Sequence, residues 1–195
     1  MSAALTREGW LTIVAERYLW PLIDAHAGMK RRDATRFVRY SIGFPKGSRG
    51  GRKSVGQCWS PTASGDGASE IFISPILSPF DSVHTLLHEL IHAQVGLQHK
   101  HRGAFKQLAL AVGLTGQMTA TVPGEALTGS INAWLEKLPA FPGAVMKERE
   151  NPNKQTTRLI KCQCNDCGYT VRTTARWLEV GAPHCPEHGE MEVMS

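Results

Sequence analysis

Two groups of residues in this chain have the types and spacing of metal chemistry. The first is His88-Glu89-Leu90-Ile91-His92. On a helix with 3.6 residues per turn, positions i and i+4 share a face, so both imidazoles can reach one Zn²⁺. Glu89 follows the first histidine and lies beside such a metal without ligating it. There it can take a proton from an activated water and pass it to a leaving amine. The second group is Cys164-Asn165-Asp166-Cys167-Gly168 and Cys185-Pro186-Glu187-His188-Gly189, two C-x₂-[CH]-Gly turns with seventeen residues between Cys167 and Cys185. Facing turns of this kind make a closed Cys₃His tetrahedral site, and a closed site is structural. Cys162 is one ligand too many; using it in place of Cys164 loses the two-residue spacing to Cys167.

A helix is required under the first group, and the flanking residues supply its punctuation. Ser78 is a good N-cap, Pro79 suits the first helical position, and Asp81 places negative charge in the first turn. Val83, Leu87, Leu90 and Val95 fall at roughly helical spacing, and Gly96 is a helix stop. A catalytic zinc needs a third protein ligand and one open position. His101 is the choice, at the mouth of a second helix predicted from Phe105, Leu108, Ala109 and Val112; His99 is the alternative. His84, one turn before His88, reads as a capping or supporting histidine.

The other elements follow in order. Residues 6 to 27 read as helix, with Pro21 kinking it or opening a second turn. Strands are expected at Phe37–Ile42, Val55–Trp59 and Glu70–Ser74, close enough in sequence to suggest an antiparallel meander with the metal helix on one face. The strand around Ile71 to Ile73 is expected beside the cleft, where it could pair with an extended substrate. Cys58 reads as a small buried hydrophobe. Met118–Val122 is extended, and Ile131, Trp134, Leu135 and Leu138 mark a short helix. The fold class is therefore α+β: a first domain over 1–142, a polar linker over 143–155, and a C-terminal zinc ribbon over 156–195. The ribbon is too short to bury a sufficient core, so metal supplies most of its folding energy.

Composition narrows the function classes. The chain has 195 residues, 42% hydrophobic, enough for one ordinary domain and a small appendage. No apolar run is long enough for a membrane span, and no signal-peptide pattern opens the chain, so a cytoplasmic location is expected. That location favours zinc over disulfides for the four clustered cysteines. The formal charge is +5, yet residues 30–53 hold nine basic residues against one acid, Asp33. This segment carries +8 and leaves −3 for the rest, the electrostatic footprint of a phosphate-backbone contact. Arg158, Lys161, Arg172 and Arg176, with Tyr169 and Trp177, give the ribbon a basic, aromatic surface that could also grip DNA.

Taken together, these residues resemble the SprT-like family of zinc metalloproteases, which includes the Spartan proteases. The likeness runs through Thr85–Ala93, His101 four residues before Phe105, the helix ending at Gly113-Leu114, the strand Glu70–Ser74 and the ribbon. The family's third ligand is the histidine of an H-G-x-x-F pattern. Here the glycine of His101-Arg102-Gly103-Ala104-Phe105 is displaced by one while the His-to-Phe spacing is kept. A short, ribbon-bearing chain also resembles SprT-like proteins of bacteriophages, whose location would be the host cytoplasm. The resemblance implies a zincin-like domain with one catalytic zinc on His88, His92 and His101, and Glu89 as general base. It also implies a structural zinc on Cys164, Cys167, Cys185 and His188, and cleavage of DNA-bound or DNA-crosslinked proteins. The alternatives are a DNA-binding or regulatory protein on the same scaffold with little proteolysis, and a zinc hydrolase acting on a peptidoglycan peptide.

Overall fold

A computed structural model describes residues 4–27, 37–45, 54–147 and 158–194. The chain divides into two compact units, Met1–Lys147 and Glu148–Ser195. Both mix helices with small sheets, an α+β architecture.

The first unit opens with α1 (Arg7–Val14), capped by Thr6, whose hydroxyl accepts from Gly9 N–H. It continues through a π-helical turn at Ala15–Leu19 into α2 (Trp20–His26). Pro21 explains the turn. A proline inside a helix offers no N–H and its ring crowds the carbonyl four residues earlier. Widening the preceding turn, so that Trp20 N–H reaches Ala15 O, accommodates this without a break. One apolar face survives through the bulge, and Trp10, Leu11, Val14, Leu19, Trp20 and Ile23 are all buried.

The three strands are β1 (Val38–Ile42), β2 (Gly56–Trp59) and β3 (Ser69–Ile73). They do not form the expected meander. Their order is β1-β3-β2, with β1 parallel and β2 antiparallel to β3. The central place goes to the strand with the strongest inward face: Ser69, Ile71 and Ile73 are buried and alternate with half-buried Glu70 and Phe72. The inward positions of β2 are Gly56 and Cys58, opposite Ile73 and Ile71. Such small residues cover little core and suit an edge. A second expectation falls with the first. Since β3 is paired on both sides, it cannot accept a substrate strand; the edge beside the cleft is β2.

Helix α3 (Pro79–Val95) is the spine of this unit. Ser78 Oγ accepts from Asp81 N–H at 3.0 Å and donates to the Asp81 carboxylate at 2.6 Å, so the first turn is capped in both directions. Gly96, with φ of 94°, ends the helix. Eleven of the seventeen residues of α3 are buried, so the helix is surrounded by structure, not merely amphipathic. Leu86, Leu87, Leu90 and Ile91 are fully enclosed, packed with Ile71 and Ile73 below and Phe105 of α4 (Ala104–Ala111) beside them. Truncating Leu86 to alanine should lower unfolding free energy by about 2–5 kcal/mol, the transfer loss plus a cavity. Urea denaturation would measure it; a change below 1 kcal/mol would mean that the site collapses without leaving a void.

A hairpin, β4 (Leu114–Gln117) and β5 (Ala120–Pro123), follows α4 and leads to α5 (Glu125–Lys137). This last helix is longer than the stretch predicted from Ile131 onward. Its buried stripe begins at Leu127, and Thr128, Gly129 and Ser130 obscure the periodicity. The end of the unit is tied down. Arg7 donates to the carbonyls of Pro142 at 2.9 Å, Pro75 at 3.4 Å and Ala144; Trp10 Nε1 donates to Pro139 O at 2.9 Å.

The second unit contains β6 (Ile160–Gln163), β7 (Thr170–Thr173), a single helical turn α6 (Ala175–Leu178), β8 (His184–Cys185), β9 (Gly189–Glu190) and β10 (Glu192–Met194). Strand β6 lies between β10 and β7, antiparallel to both. Its core is small: Cys162, Cys164, Cys185 and Met191 are buried, with Val171 and Leu178 packed against them.

Among the described residues, no helix is long and apolar enough to cross a membrane. The basic segment 30–53 falls mostly outside the described residues. The exception, Arg39, does not present a free charge. It bridges Asp66 and Glu70 and lies over the Phe37 ring. These two carboxylates hold the guanidinium's pKa above its usual value. Arg39 is therefore withdrawn from the expected phosphate-binding set.

Candidate metal centres

His88 and His92 project from one face of α3, as their spacing requires, and His101 arrives from the loop between α3 and α4. The Nε2 atom of His101 lies 3.2 Å from Nε2 of His88 and 3.2 Å from Nε2 of His92. Two nitrogens bound at 2.0–2.1 Å to one tetrahedral ion would be roughly 3.3–3.4 Å apart. The three lone pairs converge at the separation a metal ion demands, and the set could hold one. His99 sits in the preceding 3-10 turn, Leu97–His99, and does not join the cluster. His84 lines the same cleft, with its Nε2 3.3 Å from Asp81 Oδ1, but it is also outside the cluster.

The surroundings favour neutral imidazoles. Burial, then the charges of His92, His101 and His84, hold His88 down to about 3. Burial and His101 hold His92 down to about 4, and burial lowers His101. Neutral rings keep the lone pairs that a cation needs. His88 Nδ1 is 2.9 Å from Thr121 Oγ1 of β5, a hydrogen bond that orients the ring with Nε2 facing the cluster. The His92 ring stacks on Phe105, with centroids 4.2 Å apart. The loop bearing His101 passes through Lys100 at φ 48° and ψ −122°, a conformation costly for any residue with a side chain. Such strain is of order 1–3 kcal/mol and is tolerated where the surrounding structure holds it.

Glu89 is 6% exposed and shares the cleft with the three histidines. Burial pushes its carboxyl up to about 8, opposed by a hydrogen bond from the Cys58 backbone N–H. Gly56 makes room for it: a Cβ there would lie 2.5 Å from Glu89 Oε1 and 2.6 Å from Thr85 Cγ2. The cleft, about 560 Å³, is walled by the β2 edge, by α3, by Lys100 and by Thr119–Thr121 of the hairpin.

Sequence reasoning did not find Thr121, Gly56 or the Cys58 amide. Nothing local marks Thr121, because its role depends on where the hairpin lands. Gly56 carried a signal, a glycine within a predicted strand, which often marks a close approach. Removing the Thr121 hydroxyl (Thr121→Val) should weaken metal retention at this cluster about 10–100-fold in a chelator competition. Unchanged retention would show that Phe105 and packing alone orient His88.

In the second unit, the ligand atoms of Cys164, Cys167, Cys185 and His188 lie within 4.8 Å of one another. Sγ of Cys185 is 3.6 Å from Sγ of Cys167 and 3.5 Å from Nδ1 of His188. The sulfur pair is far beyond bonding distance for a disulfide, and it is close to the roughly 3.7 Å between two thiolates on one tetrahedral zinc. Gly168 and Gly189, each directly after a ligand, have φ of 74° and 86°. They turn the chain back under the ligands in a conformation other residues resist. Backbone N–H groups of Glu187 and His188, together with the His188 side chain, hold the Cys185 thiol down to about 6. Cys162 is buried in β6 and belongs to the core, not the cluster.

The architecture is thus an α+β protein carrying two metal-ligand clusters, an open His₃ group in a cleft and a compact Cys₃His group. Scans against protein-family models, curated proteins and solved structures return no match for this chain.

Proposed function

We propose that this chain is a zinc-dependent endopeptidase of SprT-like type, acting on DNA-associated proteins. The observation that carries the reading is the convergence of three imidazole nitrogens beside a buried carboxylate, in a cleft walled by a sheet edge. His88, His92 and His101 would hold the catalytic zinc; Cys164, Cys167, Cys185 and His188 would hold a structural one. A zinc ion in the first cluster supplies Lewis acidity toward water and toward the substrate carbonyl.

The protein groups do the rest. Strand β2 offers an edge along which an extended peptide can lie, so the scissile carbonyl is brought over Glu89. As the ionised carboxylate, the form that a cation held by the adjacent histidines would favour, Glu89 accepts a proton from the attacking water as its oxygen bonds to the carbonyl carbon. The same proton then passes to the amide nitrogen as the C–N bond breaks, leaving a carboxylate and an amine. The Cys58 N–H and the absence of a side chain at Gly56 fix where the carboxylate stands. Gly56→Ala should therefore cost about 10²-fold in turnover with metal content unchanged, since a displacement near 1 Å is enough. Full activity in that variant would mean that Glu89 is not the proton carrier or that β2 shifts freely.

DNA enters through charge. The segment 30–53 and the ribbon, where Arg176 lies over exposed Trp177 and Tyr169 is also exposed, provide cations and stacking surfaces for a single strand. The deciding experiment is cleavage of a DNA-binding protein with and without single-stranded DNA, with zinc determined on the same sample. DNA-stimulated cleavage supports the reading. DNA binding without cleavage, at full zinc occupancy, would leave a DNA-binding protein on this scaffold.

A further inference from the structure

Beside the His₃ cleft lies a second cavity of about 280 Å³. Cys58, His92 and Leu97 line both spaces. The second cavity continues away from Glu89 toward the C-terminal end of β2, past Ala93 to Pro61 and Gln98. Among the described residues, no Asp, Glu, Lys or Arg lines it. The main cleft, by contrast, carries Glu89 and Lys100.

Two placements make this a receptor for a side chain. Cys58 is paired with Ile71 and, half-buried, packs against the same core, so its side chain is on the α3 side of the sheet beneath the β2 edge. Leu97 is half-buried but is not part of the hydrophobic core, so its apolar surface is turned to the two cavities. Ser60, Ser69 and Gln98 add uncharged polar groups to the lining, while Cys58, Trp59, Pro61, Ala93 and Leu97 give apolar wall from which an entering apolar group displaces water favourably.

Position assigns the occupant. Glu89 is held at the level of Gly56 and Cys58, which sets where a bond would be cut along β2. An extended peptide advances about 3.3 Å per residue, so a residue next to that bond projects over the cavity. Antiparallel addition, the arrangement β2 already has with β3 and the more stable ladder, puts this residue on the N-terminal side of the bond.

We propose that the cavity is a subsite for an uncharged apolar side chain, of leucine, methionine or phenylalanine size, just N-terminal to the cleaved bond. This inference rests on the peptidase reading above. The test uses matched peptides carrying Leu, Ala or Asp at that position. Their binding to the zinc-loaded Glu89→Gln chain is measured by calorimetry, and their kcat/KM with the parent chain. Leu should be favoured over Ala by about 10–100-fold in both, with Asp no better than Ala. Cys58→Leu, which fills the cavity floor and keeps the backbone N–H, and Leu97→Ala, which removes a wall, should each reduce that ratio to threefold or less. Leu and Ala peptides cut or bound within twofold of each other would overturn the subsite and leave the peptidase standing. So would a preference that persists in both variants, or one found only on the C-terminal side. Peptides neither bound nor cut would overturn both.

Discussion

Glu89→Gln should abolish measurable proteolysis, a loss of about 10²–10⁴-fold, while both metal clusters remain loaded. Among the described residues, the carboxylate is the only acidic side chain lining the cleft. It is enclosed at 6% exposure, so no external water can substitute for it easily. Glutamine keeps the volume between Gly56 and Thr85 and can still accept from the Cys58 N–H. What it loses is the capacity to take up and return a proton. Stability and zinc stoichiometry should therefore match the parent, which separates a chemical defect from a structural one. Turnover within threefold of the parent would remove Glu89 from the mechanism and, with it, the peptidase reading of the cleft.

The second large effect is expected in the other unit. Cys185→Ser, or extraction of metal by a chelator, should unfold residues 158–194 while α3 and its neighbours stay intact. The buried set there is Cys162, Cys164, Cys185 and Met191. Two of the four are cluster cysteines, so little hydrophobic burial stands against roughly 1–2 kcal/mol of backbone entropy per residue. Zinc binding at a Cys/His site of this kind contributes about 10–16 kcal/mol near neutral pH, and that contribution is lost with the ligand or the metal. Amide resonances of β6, β7 and β10 should collapse to random-coil positions in the variant, with those of α3 unmoved. Cys162→Ala separates the two roles of cysteine: it removes core surface and should leave the metal stoichiometry at two per chain. Persistent dispersion of the β6–β7 signals without metal would mean that the small sheet holds itself.

Much of both clusters is written locally. The i, i+4 spacing of His88 and His92 needs only a helix, and Ser78, Pro79, Asp81 and Gly96 delimit that helix through contacts within a turn of themselves. The two C-x₂-[CH]-Gly turns are equally local, because each pair of ligands and its reversing glycine lie within five residues. Helix α1–α2 and the three strands were legible for the same reason: periodicity belongs to one stretch of backbone.

Strand order is a different matter. It depends on which strand has most apolar surface to hide, a comparison among segments separated by nine or more residues. Ile71 and Ile73 take the centre and send Gly56 and Cys58 to the edge. That competition moved the cleft wall from β3 to β2 and brought an amide and a gap to Glu89. Thr121 reaches His88 across 33 residues because the β4–β5 hairpin packs against α3. Of the two histidines before Phe105, only the path of the loop through Lys100 brings His101, not His99, to the cluster. The sequence by itself determined the ligand types, their helical spacing and the two-cluster plan, since these rest on local geometry. Only the tertiary structure decided which edge faces the carboxylate, what orients His88 and where a second cavity opens, since these depend on how separate elements compete for one core.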